Sequence, residues 1–321
     1  MFYMKDTFEN PQRNDGNSEH SGESGSQYIR REEWTIETAG GKTKVYEFIP
    51  KDPVSEVPVF LASGFGGTVE IYKSGILDFA RENRRRVITI DHPRFGGRPI
   101  ESNERNSAST ELSRRALNIA EVIKELERKG TPKIDAITHS EGTINLIEAA
   151  SENPEHFRHI ILFAPAGLID TTVKENFAAS IANLVRNFVS DLFKSHASES
   201  EEEKQRGKIA FQKGAICVLQ NIFRSIEEVV GIAATSLKKN LEKIRSTSDR
   251  ENLGIKIVVA APIDDTVFPF EDMKKTAEEL LQQKLLDGFI TVTKGHSALY
   301  KNGHFAYVGT LFSTLEGKDP D

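Results

Sequence analysis

The sequence predicts an α/β protein: a mostly parallel, eight-stranded, doubly wound sheet with an inserted block of helices. Three observations carry that expectation. Short, nearly continuous runs rich in Val and Ile recur along the chain. Runs of that length fit strands covered on both faces. Helical periodicities lie between them, and alternation of the two implies parallel strands joined by right-handed crossovers. One long helical interval then breaks the alternation.

The elements follow in chain order. Residues 1–28 are polar and rich in Gly, Ser and Asn. They hold too little apolar surface to offset the entropy of ordering, so a disordered tail is expected. "EWTIETAG" and "KVYEFIP" alternate apolar and polar residues around Gly40-Gly41 and read as an antiparallel pair with one solvated face. Six buried strands are expected at "VPVFLA" (57–62), "RVITID" (86–91), "IDAITH" (134–139), "HIILFA" (159–164), "IKIVVAA" (255–261) and "FITVT" (289–293). Before the third of these, "ELSRRALNIAEVIKELER" aligns Leu112, Ala116, Leu117, Ala120, Ile123 and Leu126 on one helical face. Between Ala164 and Ile255 the pattern is helical throughout, as in Phe177, Ile181, Leu184, Val185, Phe188 and Leu192. The acidic run 198–203 reads as a solvated loop within that interval. The expected division is therefore a core of 29–165 and 253–321, interrupted by a helical insertion over 166–252.

Composition removes several function classes. A net charge of −6 does not suit a nucleic-acid binder. The single cysteine, Cys217, forms no disulfide within the chain and no cysteine zinc cluster. No apolar run reaches the roughly 18–20 residues of a membrane span. The opening "MFYMKDTFEN" lacks the basic-then-apolar pattern of a signal peptide, so a cytoplasmic setting is expected.

Chemistry enters at "AITHSEGTIN", residues 136–145. A strand runs into a helix here with almost no connection. In a doubly wound sheet, ligands bind beyond the carboxyl ends of the strands. A turn this tight strains its middle residue, lifts the Ser140 hydroxyl clear of the sheet and sets helix N–H groups beside it. Gly142 supplies the small neighbour on one side. On the other side stands Thr138, where the nucleophile-elbow pattern G-x-S-x-G has glycine. Alone, Ser-x-Gly after a strand is a weak signal and more often an ordinary turn. A serine nucleophile also needs a base, and the base needs an acid to orient it. Downstream, "VVAAPIDDTVFP" ends a strand with two aspartates, and "TVTKGHSALY" ends the last strand with Gly-His.

With the order Ser, Asp, His in place, the sequence resembles the α/β-hydrolase fold family over roughly residues 33–316. "VFLASGFGGT" looks like that family's oxyanion loop, with Ser63 where histidine is usual. "ITIDHPRFGGR" looks like its Asp-x-x-Gly-x-Gly turn, and the interval 166–252 stands where its lid or cap inserts. The resemblance implies a serine hydrolase acting on a carboxylic ester or related acyl bond of a small-molecule substrate, without metal or organic cofactor. Ser140 is the implied nucleophile and Asp265, four residues before Pro269, the implied acid. His296 is favoured as base over His304, because it follows "FITVT" closely and leaves "HFAYVGTLFSTL" as a full last helix. The backbone N–H groups of Phe65 and Glu141 are the implied oxyanion donors. The Glu141 carboxylate must then point away, be neutralised or meet a cationic or hydroxylated part of the substrate; its plainer reading is a helix N-terminal acid. His139, His156 and His159 read as structural or solvated.

Other functions remain open at this level. "LASGFGGTVEIY" partly matches a dinucleotide fingerprint, but its third glycine falls at Val69. A binding protein that kept the fold and lost the chemistry fits the same residues, as does an acyltransferase using the same triad. Haloalkane dehalogenation is disfavoured, since it needs a carboxylate where Ser140 stands. The natural substrate and the oligomeric state are not legible.

Overall fold

The computed structural model describes residues 29–38, 41–92, 111–169, 228–232, 234–301 and 304–317, with residues 186, 201, 204, 205, 208 and 212. The expected tail (1–28), the Gly-Gly part of the 91–97 turn and most of the expected cap lie outside them.

All the expected strands form: β1 (Ile29–Thr38), β2 (Gly41–Pro50), β3 (Val59–Ala62), β4 (Val87–Asp91), β5 (Ile134–His139), β6 (Phe157–Phe163), β7 (Lys256–Pro262) and β8 (Gly288–Val292). They make one eight-stranded sheet in the order β1-β2-β4-β3-β5-β6-β7-β8. Strands β1 and β2 pair antiparallel, as does β2 with β4; every later pair is parallel. The α-helices that lie wholly within the described residues are α1 (Val69–Glu82), α2 (Glu111–Arg128), α3 (Gly142–Glu152), α4 (Lys238–Glu251), α5 (Phe270–Gln282), α6 (Ala298–Lys301) and α7 (His304–Leu315).

The central strands read as unbroken apolar runs because both of their faces are covered. Phe60, Ile88, Ala136, Ile160 and Val259 point into one core, shared with Ile123 of α2, Ile147 of α3 and Ile244 of α4. Their chain neighbours Leu61, Val87, Ile137, Ile161 and Ala260 point into the other, shared with Ile76 and Phe79 of α1 and Phe305 and Phe312 of α7. This alternation has the period of two that a strand imposes.

Two expectations about the helices change. Leu117 lies on the exposed side of α2, while Ile119 and Val122 are buried. Helix α2 packs against both α3 and β1, which rotates and widens its buried face. Helix α4, expected inside the insertion, packs on α3 and sends Leu241 and Ile244 into the same core as the sheet.

At the amino-terminal edge of the sheet a buried ion network ties three strands together. Arg85, just before β4, donates to Asp135 on β5. Arg158 of β6 donates to both Asp135 oxygens at 3.2 and 2.6 Å, and His159 Nδ1 stands 2.9 Å from Oδ1. Asp135, His159 and Glu316 lie close enough to share a cation, but the two guanidinium groups already supply positive charge there. Burial pushes the Asp135 carboxyl up; the His159 and Arg158 hydrogen bonds and the Arg85 charge outweigh burial and hold it well below the usual carboxylate range. Its stabilisation is therefore present above its unfolded value near 3.9 and is lost as the pH falls through the lower folded value. Asp135→Asn leaves Arg85 buried beside a neutral amide and is expected to cost about 3–5 kcal/mol. Urea unfolding against pH checks this: the variant loses most where the wild type is most stable, and the two curves converge in acid.

Candidate active site

Strand β5 ends at His139 and α3 begins at Gly142, so two residues make the whole reversal. Ser140 takes the left-handed conformation, φ 52°. For a residue with a Cβ that conformation costs of order 1–3 kcal/mol and persists only where its surroundings impose it. Here they do. The Ser140 N–H donates to the Phe163 carbonyl at 3.1 Å, and its own carbonyl accepts from the N–H groups of Thr143 (3.0 Å) and Ala166 (3.1 Å).

The two flanking positions meet different constraints. A Cβ at Gly142 would lie 2.3 Å from the Ala62 carbonyl oxygen and 2.5 Å from that of Ser63, so the start of α3 fits under β3 only without a side chain. Thr138, at the position where the elbow pattern has glycine, is fully buried and places Oγ1 2.8 Å from Thr143 Oγ1 across the turn. The hydroxyl pair fastens strand to helix where a glycine would leave space. Gly142→Ala is expected to destabilise by about 1–3 kcal/mol or more through this overpacking. Thr138→Gly should be milder; the two denaturation midpoints give the ranking.

The loop after β3 lies directly on the turn. A Cβ at Gly64 would sit 3.0 Å from the Ser140 Cβ and from His139 Nδ1. The loop is held by Ser63 Oγ donating to the Gly67 carbonyl (3.2 Å), the Gly67 N–H donating to the Gly64 carbonyl (2.8 Å) and the Gly64 N–H donating to Tyr72 Oη (3.0 Å). Phe65 follows Gly64 and packs its ring against the core on the α2 and α3 side.

From the other half of the sheet come Asp265, just after β7, and His296, just after β8. Both are buried. Asp265 Oδ1 accepts the N–H groups of Val267 (2.8 Å) and Phe268 (2.9 Å), which fixes the carboxylate; His296 Nδ1 stands 2.9 Å from Oδ2. With a carboxylate as acceptor, Nδ1 carries the proton. Asp264 is exposed. His304 lies at the start of α7 with Nε2 3.3 Å from Thr293 Oγ1.

His139 links the two halves. Its ring centroid is 5.0 Å from that of His296, and its Nε2 is 2.9 Å from the His296 carbonyl oxygen. Its Nδ1 is 2.7 Å from Tyr72 Oη. Burial, followed by the nearness of His296, pushes the imidazole down to about 3, so the ring is neutral. Ser140 and the His296–Asp265 pair thus both stand at the carboxyl edge of the sheet, bridged by His139, with the Gly64 loop against Ser140.

The Glu141 side chain turns away into a buried charge cluster. Oε1 accepts from Arg115 of α2 (2.8 Å) and from Asn145 (3.1 Å), and Arg115 also donates to Glu228. Glu111 lies 3.8 Å from the same guanidinium. The carboxylate makes no cap bond to α3, so it is neutralised rather than acting as a plain helix-terminal acid. Burial raises the Glu141 carboxyl above its ordinary value, against the opposing pull of Arg115. The same Arg115 charge adds to burial in pushing the His92 imidazole well down.

Sequence reasoning missed Arg115, Tyr72 and the linking role of His139. The demand for a counter-charge at Glu141 was the one available signal for Arg115.

A family model described as the alpha/beta hydrolase fold matches residues 57–212, which span β3, the Gly64 loop and the Ser140 turn. The chain has the α/β-hydrolase fold. Solved α/β-hydrolases agree over nearly the whole chain. A thermophilic esterase from Thermogutta terrifontis superposes with a TM-score of 0.54 at 16% identity, covering 88% of this chain and 99% of its own. Naproxen esterase (carboxylesterase NP) from Bacillus subtilis gives 0.56 at 14%, covering 88% and 92%. The 2-hydroxy-6-oxo-6-phenylhexa-2,4-dienoate hydrolase from Rhodococcus sp. strain RHA1 gives 0.59 at 18%, covering 90% and 100%. No curated protein matches the sequence. Among the described residues of this α/β-hydrolase fold, no helix is long and apolar enough to cross a membrane.

Proposed function

We propose that this protein is a serine hydrolase that cleaves a carboxylic ester or related acyl bond through an acyl-enzyme. The observation that carries the proposal is the 2.9 Å bond between His296 Nδ1 and Asp265 Oδ2, at the sheet edge where Ser140 occupies its strained turn.

Ser140 Oγ attacks the acyl carbon while His296 Nε2 takes its proton. Asp265 holds the Nδ1–H tautomer and stabilises the imidazolium that forms. The negative oxygen of the tetrahedral species accepts the N–H groups of Phe65 and Glu141, and each such donor typically contributes about 2.7–4 kcal/mol. Collapse breaks the ester C–O bond, and the leaving alcohol takes the proton from His296. Water then attacks the acyl-enzyme with His296 again as base. The acid departs and Ser140 regains its proton.

Arg115 supports the mechanism indirectly. By pairing with the Glu141 carboxylate and drawing it aside, it lessens the like-charge repulsion that a free carboxylate would exert on the oxyanion. The substrate is a small acyl compound. Transfer to an alcohol or amine uses the same acyl-enzyme, and no residue described favours it over water. The three esterase and hydrolase structures are consistent with this reading of the site.

The test is turnover on a series of p-nitrophenyl esters of increasing acyl length. Release of acid and alcohol is expected for part of the series. A folded protein inert on the whole series favours a binding protein that has lost the chemistry.

A further inference from the structure

Four groups from four separate elements form one continuous hydrogen-bond chain behind the site: the Gly64 N–H, Tyr72 Oη, both ring nitrogens of His139 and the His296 carbonyl. All four residues are buried. With the ring neutral, only one arrangement of protons satisfies it. The His296 carbonyl can only accept, so His139 Nε2 carries a hydrogen and donates at 2.9 Å. In a neutral imidazole the other nitrogen is then an acceptor. Tyr72 therefore donates its hydroxyl hydrogen to Nδ1 at 2.7 Å, and its oxygen accepts the Gly64 N–H at 3.0 Å.

Each link of the chain ends beside a reacting group. Gly64 precedes Phe65, whose N–H is the oxyanion donor. His139 precedes Ser140. The His296 carbonyl belongs to the base itself. Such a chain sets three loops in register from behind, without touching substrate. We propose that Tyr72 and His139 are positioning residues that lock the oxyanion loop, the serine turn and the histidine loop at their working separation. The proposal rests on the catalytic reading of Ser140, His296 and Asp265.

The energetic reason is geometric. Displacing a reacting group by about 1 Å can cost on the order of 100-fold in rate. The donors and acceptors here are buried, so removing one member leaves its partners unsatisfied and they relax toward other partners. The two termini of the chain, the Gly64 N–H and the His296 carbonyl, are main-chain atoms of the site loops, so that relaxation moves the site.

Tyr72→Phe keeps the ring and removes only the hydroxyl. It is expected to lower kcat by about 10–100-fold with KM changed by less than about 3-fold. His139→Leu should lower kcat by a similar factor. The double variant Tyr72→Phe/His139→Leu should be little worse than either single, because one chain is broken once. His139→Gln offers a neutral donor and acceptor and should recover most of the loss. A second readout uses the unaltered protein: ¹⁵N-histidine NMR should show His139 protonated at Nε2 only, from mildly acidic to alkaline pH.

Outcomes separate cleanly. If Ser140→Ala retains full ester turnover, the catalytic reading fails and the proposal with it. If turnover depends on Ser140, yet folded Tyr72→Phe and His139→Leu keep wild-type kcat, the positioning role alone is overturned. If these variants do not fold, an Nδ1–H tautomer or a charged His139 ring in the wild-type spectrum overturns it.

Discussion

Ser140→Ala is expected to lower kcat for ester hydrolysis by about 10⁴–10⁶-fold while KM changes little, because the hydroxyl contributes to bond making and hardly to substrate binding. Asp265→Asn should cost about 10⁴-fold, since an amide favours the wrong imidazole tautomer. Asp264→Asn, one residue away and exposed, should stay within 2-fold or so, as surface substitutions do. Combining Ser140→Ala with His296→Ala should cost no more than Ser140→Ala alone, because the residues act as one unit. Steady-state kinetics on one ester at fixed pH provides all four values. Full additivity of the losses would contradict a shared proton-transfer step.

The second large effect is on stability. Arg115 is the shared cation of Glu141, Glu228 and Glu111, and the first two carboxylates are fully buried. Arg115→Met leaves those charges buried without it and is expected to destabilise by about 3–5 kcal/mol. Adding Glu141→Gln and Glu228→Gln should recover much of the loss, because buried neutral groups cost less than unpaired charges. The pH response has a definite sign. Burial already raises the Glu141 carboxyl, and removing Arg115 raises it further. A carboxyl raised in the folded state favours folding most below its unfolded value near 4.3, and that advantage fades as the pH climbs through its folded value. The Arg115→Met protein should therefore gain stability relative to wild type on mild acidification, whereas Asp135→Asn closes its gap to wild type only as the pH falls below the ordinary carboxylate range. Guanidinium unfolding at several pH values measures both.

The centre of the sheet is legible in the sequence because its strands are covered on both faces and so leave long Val and Ile runs; β8, expected to be buried like them, lies at the sheet edge and is only partly covered. The edge pair β1 and β2 is legible for the opposite reason, since one solvated face leaves alternation. Helix α2 is legible only in part: periodicity identifies an apolar stripe but not that β1 and α3 cover it from two directions. Hence Leu117 is exposed and Ile119 buried. Ser140, Asp265 and His296 can be named because each stands at a strand end, where fold topology constrains position. The departure at Thr138 reads as a defect in the elbow; its partner Thr143 lies on the far side of the turn, and only tertiary structure pairs them. Tyr72 and His139 are beyond sequence reasoning for the same reason, and Arg115 is signalled only by the counter-charge that Glu141 demands. Their meaning lies in contacts such as Arg115 with Glu228 and Tyr72 with Gly64, which no local pattern records.

The most direct measurement is reaction of the folded protein with a fluorophosphonate, followed by peptide mapping of the adduct. One adduct on the peptide containing Ser140 is predicted, slowed in His296→Ala and absent in Ser140→Ala. A modified serine elsewhere, or no adduct on protein that still hydrolyses esters, would contradict the account.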